Sequence, residues 1–178
     1  MKMVVTGPFG AGKTTLIQSI SESKVLATER SVSDGSTSKA KTTVAMDFGQ
    51  LSIDEELSLS LFGTPGQKRF DFMWDILSQG MLGFIILVDV ADEAGLLEAA
   101  DILSFFRERA NVPFVVAVNK CKRGKVAAME RARQELDLPA HIRVVACDAR
   151  DRDSVKGVLL ELLYAVLADV DASLPAPA

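Results

Sequence analysis

The chain has 178 residues, 48% hydrophobic and 25% charged, with 12 Gly and 6 Pro. That suits one domain around a single core and excludes a disordered tail, a collagen-like repeat and a disulfide-stapled miniprotein. A net charge of -4 and a pI of about 5.1 argue against broad electrostatic capture of nucleic acid, so any anionic phosphate must be held by a local device.

In chain order, Met3, Val4, Val5 and Thr6 form a short strand-like run that ends at Gly7, and a helical stretch follows Lys13. Residues 29–43 are polar, rich in Ser, Thr and Lys and unpatterned; a loop this long in a small domain is usually functional. Residues 44–48 make a weak strand candidate. At 57–61, Leu57, Leu59 and Leu61 alternate with Ser58 and Ser60, giving one drier face. Residues 67–77 read as a short helix. The runs 83–88 (G-F-I-I-L-V) and 113–118 (P-F-V-V-A-V) are continuously apolar, as expected of strands covered on both faces.

Between them, 93–109 reads as a helix that stops before Pro113. A shorter helix at 126–136 precedes a strand at 142–146. Val155, Val158, Leu159, Leu162, Leu163, Val166 and Leu167 then follow the three-and-four spacing of one buried stripe, with Asp151 or Asp153 as cap. Alternating strands and helices predict an open, mostly parallel sheet of six strands with helices on both faces, an α/β domain over residues 1–170. Residues 171–178, with Pro175 and Pro177, read as a flexible tail.

Cys121 and Cys147 are the only cysteines and His141 the only histidine, which argues against zinc and disulfide frameworks. Both thiols read as small, unreactive residues, and His141 is given no role. The longest apolar run is too short to span a bilayer, and residues 1–5 lack a signal-peptide pattern. The expectation is a soluble cytoplasmic protein.

Gly7-Pro8-Phe9-Gly10-Ala11-Gly12-Lys13-Thr14 matches G-x-x-x-x-G-K-[ST] between a strand and a helix. Glycines there let backbone N–H groups turn inward around a phosphate, and the helix N-terminus adds a positive end. Lys13 would bridge the terminal phosphates, and the Thr14 hydroxyl would ligate Mg²⁺.

Four further segments carry a family resemblance. Leu61-Phe62-Gly63-Thr64-Pro65-Gly66-Gln67-Lys68-Arg69-Phe70 resembles the switch II segment of Ras-like small GTPases. Thr43-Val44-Ala45-Met46-Asp47-Phe48 resembles the Rab-type close of switch I. Asn119-Lys120 resembles the start of the base-reading N-K-x-D, and Cys147-Asp148-Ala149 the S-A-K loop. Within that superfamily the chain looks most like the small GTPases of actinomycete conservons and their MglA-type relatives.

The resemblance implies a Ras-like G domain holding GTP or GDP with Mg²⁺, a slow GTPase and a switch. Gly7, Gly10, Ala11, Gly12, Lys13, Thr14 and Thr15 would hold the phosphates. Thr43 would add its hydroxyl to the metal and its N–H to the γ-phosphate, which the Gly66 N–H would also sense. Gln67 would orient the attacking water. Asn119 would brace the phosphate loop, Lys120 would cover the base, and Cys147, Asp148 and Ala149 would form the base loop, with the Ala149 N–H on the base carbonyl.

Three positions depart from the family pattern. The switch II Asp that holds a metal water is Gly63, with Asp89 and Asp47 as candidate substitutes. The guanine-reading Asp is Lys122, which removes an acceptor worth ~1.5–3 kcal/mol per bond; Asp148 is a candidate replacement. Phe9 replaces a small residue and obstructs an arginine finger, leaving Arg30, Lys39 and Lys41 as nearby cations. A pseudo-GTPase scaffold, an ATP-binding switch and a small-molecule kinase are the competing readings. Phe70, Phe72, Met73 and Trp74 cannot all point inward from one helix; one or two are expected to form an effector patch, for which the resemblance suggests a roadblock-type partner. No nucleic acid and no integral membrane segment are expected.

Overall fold

The computed structural model describes residues 1–22, 26–27, 30–32, 42–44, 46–66, 70–121 and 124–173. The main sheet contains β1 (Lys2–Thr6), β2 (Leu26–Ala27), β5 (Asp47–Ser52), β6 (Ser58–Gly63), β7 (Gly83–Val88), β8 (Phe114–Val118) and β9 (Arg143–Ala146), in the order β2-β5-β6-β1-β7-β8-β9. Six of these strands have four or more residues; β2, of two, is an added edge. β1 pairs in parallel with β6 and β7, and β8 with β7 and β9; β5 runs antiparallel to β6.

The apolar strands divide their side chains between two cores. Met3, Val5, Leu61, Ile85, Leu87, Val115 and Ala117 face α1 (Lys13–Ile20) and α5 (Arg152–Ser173). Val4, Phe84, Ile86, Val88, Val116 and Val118 face α2 (Asp71–Ser78), α3 (Glu93–Arg109) and α4 (Lys125–Glu135). Burial on both faces is why β7 and β8 lack polar alternation. In α5, Val155, Val158, Leu159 and Leu162 are fully buried, whereas Leu167 is exposed because the helix has outrun the sheet. The Asp151 carboxylate caps this helix by accepting from the Asp153 N–H.

Four expectations change. The weak strand at 44–48 is two elements: β4 (Thr42–Val44) pairs with β3 (Arg30–Val32) in a separate antiparallel ribbon, and Asp47 opens β5. That ribbon also puts the ends of the expected polar loop into strands. The helix expected from residue 67 begins at Asp71, after Phe70. Finally, α5 continues to Ser173, past the boundary expected at 170. Among the described residues no helix is long and apolar enough to cross a membrane.

Because five strands run parallel from the centre of the sheet, their C-terminal ends bring five connections to one edge: 7–12, 64–66, 89–92, 119–121 and 147–151. Such an edge is where open α/β sheets place their ligands.

Candidate functional site

The loop from β1 to α1 is built on left-handed backbone: φ is 137° at Gly7, 78° at Gly10 and 106° at Gly12. A Cβ at Gly7 would lie 2.2 Å from the Leu87 carbonyl oxygen of β7, so this glycine is required by close approach as well as by φ. The first turn of α1 has no side-chain cap and no acidic residue. Its N–H groups and the positive end of the helix therefore face the loop.

Lys13 is the charged centre. It is 8% exposed, and its Nζ donates to the carbonyls of Gly7 and Pro8, each at 2.7 Å. Burial pulls its pKa down from 10.5 to about 8, against the opposing pull of Glu98 and Asp47. An ammonium desolvated this far gains strongly from a phosphate anion beside it. The Thr14 Oγ1 donates to Asp47 Oδ2 at 2.5 Å, a hydroxyl and a carboxylate that match the hard oxygen donors Mg²⁺ prefers alongside substrate phosphates. Thr15 lies on the neighbouring cavity wall.

The connection after β6 reaches the same point. A Cβ at Gly66 would lie 2.6 Å from the Phe9 N and 2.8 Å from Lys13 Nζ, so only glycine allows this segment to lie against the phosphate loop. Thr64 is held beneath, its hydroxyl donating to Thr6 Oγ1 and its N–H to the Val5 carbonyl.

On the other side a cavity of about 840 Å³ opens between the loop and the ends of β8 and β9, lined by Gly12, Thr15, Asn119, Lys120, Cys147 and Asp148 among others. That volume suits a small organic ligand. Asn119 joins the loops: its Nδ2 donates to the Ala11 carbonyl at 2.8 Å, and its Oδ1 accepts the Ala149 N–H at 3.1 Å. The brace expected of Asn119 is present. The Ala149 N–H, expected on a base carbonyl, instead donates to Asn119.

Lys120, at φ 61°, pairs through Nζ with Asp89 at 3.0 Å. Asp89 is thereby held at the base side, by Lys120 and by the Ala91 N–H, and is not the acid beside Thr14. Asp148 accepts from Arg150 Nε at 3.0 Å, Nη2 at 2.8 Å and the Arg150 N–H at 3.1 Å; hydrogen bonds from Arg150 hold its carboxyl down at about 2. Burial pushes the Cys147 thiol up to about 11 and raises that of Cys121, so both stay protonated and weakly nucleophilic.

The structure thus brings together Gly7, Gly10, Ala11, Gly12, Lys13, Thr14, Thr15, Gly66, Asn119, Lys120, Cys147, Asp148 and Ala149 along one edge. Thr43 lies in β4 opposite Ser31; its side chain, Gln67, Lys39, Lys41, Lys122 and the side chain of Arg30 lie outside the described residues. Sequence reasoning passed over Arg150, whose D-x-R spacing from Asp148 was the available signal, and Ser154, whose hydroxyl accepts the Asp148 N–H. Of the expected aromatic set, Phe70 and Trp74 are buried, Met73 is half-buried and Phe72 is 54% exposed. The Trp74 Nε1 donates to the Pro65 carbonyl at 3.1 Å, tying α2 to the segment before Gly66.

Comparison with known proteins agrees with this geometry. The family model described as conserved hypothetical ATP binding protein matches residues 23–169. An uncharacterized protein of Methanocaldococcus jannaschii is 28% identical over 130 residues, 73% of this chain and 76% of that protein. Ras-related protein Rab-3 of Caenorhabditis elegans is 27% identical over 177 residues, 94% of this chain and 74% of its own length. Translation initiation factor IF-2 of Clostridium perfringens is 29% identical over 170 residues, 90% of this chain but 23% of the factor. Topology and relatives together make the fold that of a Ras-like P-loop NTPase. The narrower likeness to conservon and MglA-type proteins rests on the sequence motifs.

Proposed function

The chain belongs to the conserved hypothetical ATP binding protein family and is a nucleotide-binding P-loop protein, and from that premise we propose that it is a small molecular switch that binds GTP or GDP with Mg²⁺, hydrolyses GTP slowly and signals to a protein partner. The observation that carries the reading is the approach of Gly66 to Phe9 and Lys13. A γ-phosphate bound at Lys13 would meet the segment that leads into Gln67 and α2, so its loss on hydrolysis changes what that segment contacts. Trp74, anchored on Pro65, passes such a change to the helix.

Thr14 and Thr43 would hold the metal, which supplies charge neutralisation to the phosphates when bound. Gln67 would orient water. Phe9, 70% exposed, stands where a partner's arginine would enter, which favours slow turnover. Phe72 and Ile76, exposed on α2, offer apolar contact to a partner, for which a roadblock-type protein is the reading the motifs suggest.

Guanine is the base we favour. The Asp148–Arg150 pair is exposed and screened by water, so the carboxylate can exchange Arg150 for the guanine edge that Lys122 no longer serves. ATP is the second reading, favoured by the commitment of the Ala149 N–H to Asn119. The deciding experiment is thermal stability with Mg²⁺ and GDP, GTP, ADP or ATP, followed by single-turnover phosphate release. Guanine nucleotides alone should stabilise, by about 4 kcal/mol at a thousandfold excess over Kd, and Asp148→Asn should erase the preference. Stabilisation by none of the four refutes the reading, and by adenine nucleotides alone replaces it with the second.

A further inference from the structure

Asp47 and Gly63 are register partners across the antiparallel β5–β6 pair. Gly63 occupies the position where the resemblance expects a metal-holding acid, and its backbone is ordinary strand with no positive φ. A Cβ built there would lie 3.0 Å from the Asp47 Cβ and 3.3 Å from Asp47 Oδ2. The carboxylate from β5 therefore fills the space into which a side chain at 63 would grow, and the two positions compete for one volume.

Asp47 is 7% exposed, and its Oδ2 accepts from Thr14 Oγ1. The Lys13 ammonium acts on it through space, but its hydrogen bonds go to the Gly7 and Pro8 carbonyls. Among the described residues the hydrogen bond to this buried carboxylate comes from a neutral hydroxyl, which leaves room for a cation in direct contact as its complement.

We infer that Asp47 is the carboxylate that secures the nucleotide's divalent cation beside Thr14, replacing from the neighbouring strand the acid absent at Gly63. This rests on the nucleotide-binding reading of the phosphate loop. It also accounts for glycine at 63: an acid at both positions would place two carboxylates, and two Cβ atoms, in one space. Asp47 acts through the metal and its water, so it is a positioning residue.

The test measures Mn²⁺ affinity by electron paramagnetic resonance on complexes with fluorescent mant-GDP or mant-ADP, together with mant-nucleotide affinity in EDTA. Asp47→Asn should raise the Mn²⁺ Kd at least tenfold and change the EDTA affinity less than twofold. Exchanging the two residues, Asp47→Gly with Gly63→Asp, should return the Mn²⁺ Kd to within about threefold of the parent. The exchange removes the Asp47 Cβ and leaves only the flexible tip of Ile17 to yield. It decides the matter if Asp47→Asn does not fold. An unchanged Mn²⁺ Kd in Asp47→Asn, or a folded exchange variant without recovery, overturns this inference while the parent's nucleotide binding leaves the broader reading intact. A parent that binds neither mant-nucleotide overturns both.

Discussion

Raising the pH from about 7.5 to about 9 should weaken nucleotide binding and strengthen the nucleotide-free fold, and both effects trace to Lys13. With its pKa pulled down to about 8 by burial, Lys13 is mostly charged at the lower pH and ~90% neutral at the higher. Only the ammonium attracts the terminal phosphates, so each pH unit above 8 should raise Kd about tenfold, ~1.4 kcal/mol, until the backbone amides alone hold the ligand.

Stability moves the other way. The folded pKa lies below the ordinary 10.5, so between these values the unfolded chain binds more protons and unfolding becomes harder as pH rises. The full window, from 8 to 10.5, is worth at most ~3 kcal/mol. Cys147 opposes this at higher pH. Its thiol, raised from 9.0 to about 11, keeps its proton longer in the folded state and subtracts stability from pH 9 upward. The clean interval is therefore pH 8 to 9.

Titrations with a non-hydrolysable adenine or guanine nucleotide, alongside urea melts of nucleotide-free protein, read both trends. Lys13→Arg should flatten them, because guanidinium stays charged throughout. A Kd that holds constant from pH 7.5 to 9 in the parent would refute the reasoning.

Three further outcomes follow from the hydrogen bonds, ring contacts and exposure. Asn119→Ala strands the buried Ala11 carbonyl and Ala149 N–H, so it should cost ~2–4 kcal/mol in urea unfolding and lower nucleotide affinity; a loss below ~1 kcal/mol would show that the loops hold together without this brace. Trp74→Ala removes a ring packed edge-on against Phe105 at 5.1 Å and should cost ~3–5 kcal/mol. Phe72→Ala should stay within ~0.5 kcal/mol while weakening pull-down of any switch II partner. Equal stability of the two variants would contradict the assigned burial.

The aromatic cluster shows where sequence reading reached its limit. Four apolar residues in five positions guarantee that some are exposed, but which ones depends on the angle at which α2 meets α3, a tertiary quantity. The strand at 44–48 failed for a related reason: its composition suits a strand, yet the chain changes partners within it, from Arg30–Val32 to Ser58–Gly63. Local periodicity carries no information about a change of partner. By contrast, β7, β8 and α3 were legible nearly to the residue, because burial on both faces of a strand, or on one stripe of a long helix, leaves its pattern in consecutive residues.

The phosphate loop was determined by the sequence alone, since its glycines, lysine and threonine act within eight consecutive residues whose spacing sets their geometry. The acid beside Thr14 was not. Asp47 precedes Gly63 by 16 residues, and it reaches the volume above Gly63 only through the antiparallel register of β5 on β6. A one-residue slip would turn its carboxylate to the other face of the sheet. Register is decided by the packing of both sheet faces at once, which is why the sequence left Asp47 and Asp89 as alternatives and the tertiary structure placed Asp47 beside Thr14 and Asp89 beside Lys120.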